Sequence, residues 1–411
     1  MTTVNDLVDE ARAATGLDDL GSAHFMGPLE CWVRDLDDPV LSNRGREFLG
    51  RVAGSNLRNR LQIVDYLRRH PEISDVELPP VVLIAGFARS GTTLLHNLLS
   101  CHPRTRALQR WELVRPIPAP TAATWRTDPR RAEVQASVDA LRGTDLEHLH
   151  WVNAHEPEEC PWGFYDCTGL LGRGAGSVMR RWWGHLHEHH SPTTFWEYRR
   201  LIQLLLWKNP PPAGSVLVLK SPLTTPSLAQ FAEAFPDARF VFTHRDPFRV
   251  VASMNAVVDA IASPLCVPGT RLGADDGRSE RGALRTVAAA AAAMETFAAT
   301  HPDRITHVHY SDLMADPVGM VTSTFARLGI DVGEDAGDRV EAFLADQRAG
   351  RSAPPAAYEH TYAVDDVWSV PAVASYCDTF RVQRESQRLT EPLPTTRSGH
   401  VPDGQERKTN V

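Results

Sequence analysis

Residues 81–95 read VVLIAGFARSGTTLL, and this stretch decides the architecture. Val81 to Ala85 is a short, continuous, β-branched run between Pro79-Pro80 and Gly86, the pattern of a strand buried on both faces of a parallel sheet. From Gly86 to Thr93 the chain makes a glycine-bounded turn, and Leu94, Leu95, Leu98 and Leu99 open a helix behind it. Strand, glycine-bounded turn and helix in that order present backbone N–H groups and a helix N-terminus to an anion such as phosphate.

Working outward, similar apolar runs recur at Val216–Leu219, Phe240–Phe242 and Ile305–Val308, each followed by a helical pattern. Strands alternating with helices predict an α/β fold, a P-loop-type parallel sheet flanked by helices. Before it, Phe48, Val52, Leu57, Leu61, Val64 and Leu67 repeat with a helical period up to Pro71, which predicts an N-terminal helical layer over 1–75. Between the first two strands lie about 130 residues, where a crossover needs only ~10–12. The expectation is an α/β domain over 76–388 with a largely helical cap insertion over about 104–213. That insertion is rich in Trp, Phe and Tyr, which fill a core and also wall an acceptor pocket. Beyond Leu389 the composition turns to Pro, Thr, Gly and charge, so 389–411 is expected to be a disordered tail.

Across 411 residues the chain is 42% hydrophobic and 23% charged, a globular composition that excludes collagen, coiled coil and wholesale disorder. A net charge of -8 argues against a nucleic-acid partner bound through a global positive field. The six cysteines form no CxxC pair, so reduced thiols and a cytoplasmic location are expected. The first twenty residues hold five acidic side chains and no signal-type apolar segment. Val81–Phe87 and Leu201–Trp207 fall short of the ~20 residues of a membrane span. The expected partner is a small molecule; oligomeric state stays open.

The turn at 86–93 has Walker A spacing, but Thr92 stands where a nucleoside triphosphatase carries its lysine. Lys220 and His244-Arg245 follow the later strands in place of a magnesium-binding carboxylate; Asp246 lies beside Arg245 and before Pro247. No metal is assigned. Arg245 at a strand end and Ser253 eight positions later, about two helical turns on, have the types and spacing to clamp a phosphate. The plain alternatives are a strand–turn–helix corner at 86–93, and an Arg245–Asp246 pair with a surface serine.

These motifs together resemble the sulfotransferases that use 3′-phosphoadenosine 5′-phosphosulfate: the Arg-Ser-Gly-Thr-Thr-Leu-Leu turn, Lys220-Ser221-Pro222, and Arg245 with Ser253. The turn looks most like the large bacterial and tyrosylprotein branches. Trp111-Glu112 with Pro116, His155-Glu156-Pro157-Glu158-Glu159 and Tyr310-Ser311-Asp312-Leu313 are further echoes, and the similarity runs from about 80 to 385. The resemblance implies that Arg89, Ser90, Gly91, Thr92 and Thr93 hold the 5′-phosphosulfate and that Arg245 and Ser253 hold the 3′-phosphate. Lys220 would sit near the bridging oxygen, and Arg89 takes the place of the cytosolic branch's catalytic lysine. Pro222 and Thr224 stand where relatives carry a histidine, so the base must come from elsewhere.

Glu112 is the first choice of base, close to the acidic base of the tyrosylprotein branch, with a structural pairing to Arg110 or Arg115 as the alternative. His155 is the second, and Glu158 or Glu159 could face the cap instead. His185 and His189 have the spacing of paired helical metal ligands, but no third ligand follows, so a polar helix face or loop is expected. The reading is sulfuryl transfer from 3′-phosphoadenosine 5′-phosphosulfate, as co-substrate without a metal, to a hydroxyl or amine of a small, fairly apolar acceptor. A P-loop kinase or nucleotidase and a non-catalytic nucleotide-binding relative are the rivals.

Overall fold

A computed structural model describes residues 2–140, 153–165, 178–188, 191–270, 280–331, 333, 335–350 and 364–385. The stretch 389–411 expected to be a tail, parts of the expected cap, and His189 lie outside the described residues.

Five strands form one parallel sheet in the order β2-β3-β1-β4-β5. They are β1 Val81–Gly86, β2 Thr105–Arg106, β3 Val216–Lys220, β4 Arg239–His244 and β5 Ile305–His309. β1 is central, with Ile84 opposite Lys220 of β3 and Gly86 opposite Thr243 of β4. Side-chain alternation explains why β1, β3 and β4 read as unbroken apolar runs: each face packs into its own core. Leu83, Ala85, Leu217, Leu219, Phe240 and Phe242 enter one core with Met294 and Phe297 of the Ala-rich helix Glu280–Thr300 and Tyr376 of helix Pro371–Phe380. Val82, Ile84, Val218 and Val241 enter the other, with Leu95 and Leu98 of helix Thr92–Ser100 and Val321 and Phe325 of helix Pro317–Leu328. β2 was not anticipated. It is two polar residues long, gives no apolar run to read, and extends the sheet into the stretch assigned to the cap.

The helices Val4–Thr15, Met26–Asp35 and Asn43–Arg69 build a separate apolar cluster through Leu7, Leu29, Trp32, Leu49, Leu57 and Leu61. Trp182 of helix Arg180–Glu188 closes it, meeting Trp32 edge-on at 5.1 Å. Pro247–Leu265 is 19 residues long and apolar enough in composition to cross a membrane. Here it follows β4 with Val250 and Val251 in the sheet's core, and it also buries Arg249 and Ser253.

The turn after β1 depends on a close approach of two backbones. Gly86 has φ +130°, and a Cβ there would lie 2.5 Å from both the carbonyl and the hydroxyl oxygen of Thr243. Thr225 locks the same point, its hydroxyl accepting from Gly86 N at 3.0 Å and donating to Gly86 O at 2.7 Å. Gly16, by contrast, has φ +69° with open space around it. Gly16→Ala should therefore lose only about 1 kcal/mol from backbone strain. Gly86→Ala adds a backbone clash and should lose about 3 kcal/mol or more, read as the difference in urea midpoints.

His96 of helix Thr92–Ser100 is buried with Nε2 3.1 Å from Val218 O. Burial first, and the charge of Lys220 second, push its pKa down to about 3 from an ordinary 6.5. The unfolded chain takes this proton and the folded one refuses it, so the contribution is intact above the unfolded value and is lost as pH falls from 6.5 toward about 3. In acid titration of the urea midpoint, His96→Gln should flatten this limb by on the order of 1 kcal/mol per pH unit.

Candidate active site

The carboxyl edge of a parallel sheet is where loops converge, most openly where strand order reverses. In this chain that point lies between β1 and its two neighbours, and Gly86, Lys220, Arg245 and Tyr310 all leave their strands there. The turn 87–91 ends in Gly91 at φ +86°, where a Cβ would meet the Tyr310 ring at 2.8 Å. Helix Thr92–Ser100 then begins with no side-chain cap among the described residues. The first N–H groups of a helix lack intrahelical acceptors, and an anion can complete them.

Arg89 is a non-glycine residue at φ 70°, a conformation that costs about 1 kcal/mol and needs partners to hold it. The partners are two other residues singled out from the sequence. Arg89 Nε donates to Ser253 Oγ at 3.0 Å, and Arg245 Nη1 donates to Arg89 O at 2.7 Å. Arg245 also lies 4.0 Å above the Tyr310 ring. Arg89, Arg245 and Ser253 thus form one cluster at one end of the turn. The Arg89 guanidinium faces Ser253, whereas the sequence reading aimed it at the 5′ end of the ligand.

At the other end, Lys220 is buried and its Nζ lies 3.1 Å from Thr93 Oγ1 and 2.9 Å from Glu159 Oε1. Glu159 Oε2 is buried without a partner among the described residues. Thr92 is buried at the helix start. The Ser90 side chain departs from the expected role. Fully buried, its hydroxyl donates to Phe87 O at 2.6 Å and lies 2.6 Å from Thr243 Oγ1. It holds the turn onto β4 from beneath, and its N–H also returns to Phe87 O at 3.3 Å, so the residue braces the turn.

Glu112 also departs from expectation. Its carboxylate is 0% exposed in an ion pair with Arg106, and it accepts from Gln109 N at 2.9 Å and Trp125 Nε1 at 2.9 Å. Both oxygens are committed, and the residue closes the N-terminus of helix Arg110–Val114 as a capping box. The structural alternative prevails, with Arg106 as partner in place of Arg110 or Arg115. Arg110 instead pairs with Glu158 at 2.9 Å. The sequence missed this because 108–111 runs antiparallel to 154–158, a pairing of segments about 45 residues apart that no short spacing encodes.

His155 lies near this wall, half-buried, with a buried Nδ1 that has no partner among the described residues. Burial first, and Arg131 second, lower its pKa, which keeps the ring neutral and able to accept a proton. His185 packs beneath Gly27. Asp246, the nearest acid to a magnesium-type position, is consumed by the fold. It accepts from Phe248 N at 2.9 Å, Trp368 Nε1 at 3.0 Å and Glu385 N at 2.8 Å.

Comparison with known proteins identifies the family and the fold. The model of a family described as "Sulfotransferase family" matches residues 80–334. The crystal structure of sulfotransferase STF9 from Mycobacterium avium is similar over 93% of this chain and 98% of its own, at 26% identity and a TM-score of 0.81. Sulfotransferase STF1 from Mycobacterium tuberculosis H37Rv shares the fold over 91% of this chain and 99% of its own, at 22% identity and a TM-score of 0.71. No curated protein matches by sequence.

Breaking a buried ion pair strands the remaining charge, which costs about 3–5 kcal/mol. Glu112→Gln should therefore lower the unfolding free energy by about that amount, measured by urea denaturation, with Arg106→Met in the same background recovering part of it.

Proposed function

The chain belongs to the sulfotransferase family, and from that premise we propose that it moves a sulfuryl group from 3′-phosphoadenosine 5′-phosphosulfate to a hydroxyl, or an amine, of a small, fairly apolar acceptor. The observation that carries the reading is the hydrogen-bonded cluster of Arg245, Arg89 and Ser253 beside an uncapped helix N-terminus. It supplies a cationic seat for a 3′-phosphate within reach of a turn suited to the 5′-phosphosulfate. The kinase rival is weaker, because Thr92 replaces the lysine and Asp246 is spent on main-chain and indole N–H groups.

In the proposed reaction the acceptor oxygen attacks sulfur in line. A new S–O bond forms as the bond to the bridging oxygen breaks, and the electron pair stays on the departing 5′-phosphate. Lys220 and the helix N-terminus stabilise that charge, a role that needs cations already in place when the charge develops. Glu159 is the base we favour over Glu112. It touches Lys220 at 2.9 Å and keeps a buried oxygen with no partner among the described residues, whereas both Glu112 oxygens are committed. The acceptor proton passes to that carboxylate. His155 is the second reading, favoured by its neutral ring and unpartnered Nδ1.

Glu159→Gln should lower kcat by about 10²- to 10⁴-fold, the range for removing a general base, without weakening the binding of adenosine 3′,5′-bisphosphate. A full rate in Glu159→Gln with a collapsed rate in His155→Asn moves the base to His155. Calorimetric titration should show tighter binding of adenosine 3′,5′-bisphosphate than of ATP; the reverse order, with magnesium-dependent hydrolysis, overturns the reading.

A further inference from the structure

The cationic seat already holds an anion, and it comes from the chain itself. Glu385 places one carboxylate oxygen 3.0 Å from Arg245 Nε and the other 3.4 Å from Arg245 Nη2, a two-pronged pairing. The second oxygen also forms an ion pair with Arg249 Nε at 3.7 Å. Arg249 lies one helical turn before Ser253 on helix Pro247–Ala262, and Arg245, in the loop just before that helix, converges with Arg249 on the same carboxylate. Both guanidiniums are buried, and the Glu385 side chain is 27% exposed.

The approach of Glu385 is built into the fold. After helix Pro371–Phe380 the chain reverses through Arg381 at φ 53°, and Val382 N bonds back to Cys377 O at 2.9 Å. Arg384 pairs with Asp365 at 3.1 Å and lies over the Trp368 ring, and Trp368 donates to Asp246. Asp246 in turn receives Glu385 N at 2.8 Å. The main chain of Glu385 is thereby tied to Asp246 while its side chain reaches the neighbouring Arg245.

We infer that Arg249 is a further 3′-phosphate ligand beside Arg245, and that Glu385 is an internal stand-in for that phosphate which the donor displaces. This rests on the donor reading above. A carboxylate offers one negative charge and two oxygens. A phosphate monoester carries about −1.5 to −2 and three oxygens, so it satisfies two converging guanidiniums and the Ser253 hydroxyl better than Glu385 does. Until it arrives, the carboxylate keeps two buried cations paired, and every donor molecule must compete with it. An occupied seat lowers apparent affinity by the fraction of chains in which it is closed. A ligand lacking the 3′-phosphate has nothing to place there and leaves Glu385 where it is.

The test is calorimetric titration with adenosine 3′,5′-bisphosphate and with adenosine 5′-phosphate. The wild type should prefer the bisphosphate. Glu385→Gln, which keeps shape and removes charge, should bind the bisphosphate about ten-fold tighter with unchanged affinity for the 5′-phosphate; Arg249→Ala should weaken the bisphosphate alone by about ten-fold. A wild-type preference for the bisphosphate that Glu385→Gln leaves unaltered overturns this inference and spares the donor reading. No preference in the wild type overturns both. Should Glu385→Gln be less stable, the bisphosphate must raise its melting temperature by more than it raises that of the wild type; an equal or smaller rise counts against the inference.

Discussion

The edge of the sheet is organised by the contact between Gly86 and Thr243, where two parallel strands end so close together that no side chain fits at position 86. Because β1 stops against β4, the chain must turn upward immediately, and the turn is held from below by Ser90 on Thr243 and by Thr225 on Gly86. From the next two positions of β4 and its loop, Arg245 reaches the carbonyl of Arg89. One tight backbone approach therefore fixes the distance between the turn and the cationic cluster. A ligand carrying anions at both ends needs that distance to be constant.

The protein as a whole is acidic, with a net charge of -8, while this edge gathers Arg89, Arg245, Arg249 and Lys220. Burial makes their partners matter more than the global field does. Each cation is held by a specific oxygen, from Ser253, Arg89 O, Glu385 or Glu159. The edge is thus prepared for anions without attracting polyanions over the whole surface, and such preparation is what an electrostatic catalyst needs before charge develops.

Much of this was legible in the sequence, and the parts that were not share a physical cause. Val81–Ala85, Val216–Leu219 and Phe240–Phe242 could be read because a strand buried on both faces leaves an unbroken apolar run. The turn could be read because Gly86 and Gly91 bracket Arg89 and precede a leucine-rich helix. Family membership was likewise legible, since it rests on short local motifs in a fixed order. Strand β2 was not, being Thr105–Arg106 and held only by pairing to β3. A fold-back of 108–111 on 154–158 hid the pairing of Arg110 with Glu158, which leaves Glu112 to Arg106. Ser90 looked like a ligand contact because its type fits one, and only the burial of its hydroxyl against Thr243 gives it a different task. Glu385 gave no signal, lying 140 positions beyond Arg245 in a stretch without a motif.

The pairing of Lys220 with Glu159 bears on how such a site works. A buried Lys–Glu pair loses hydration on both sides and recovers it only in part, so it is a poor way to stabilise a fold. This one sits at the start of helix Thr92–Ser100, with Thr93 as the second contact of the amine and one carboxylate oxygen without a partner among the described residues. The same pattern recurs at Arg245, where a carboxylate holds a buried cation beside the turn. At both ends of the turn an acidic side chain keeps a cation in position, and at both ends a phosphate would be the stronger partner. On the proposed reaction, donor binding would release two carboxylates with different fates. Glu385 would have no chemistry to do once displaced, whereas Glu159, freed from Lys220 beside the bond being broken, would be left with a proton to accept.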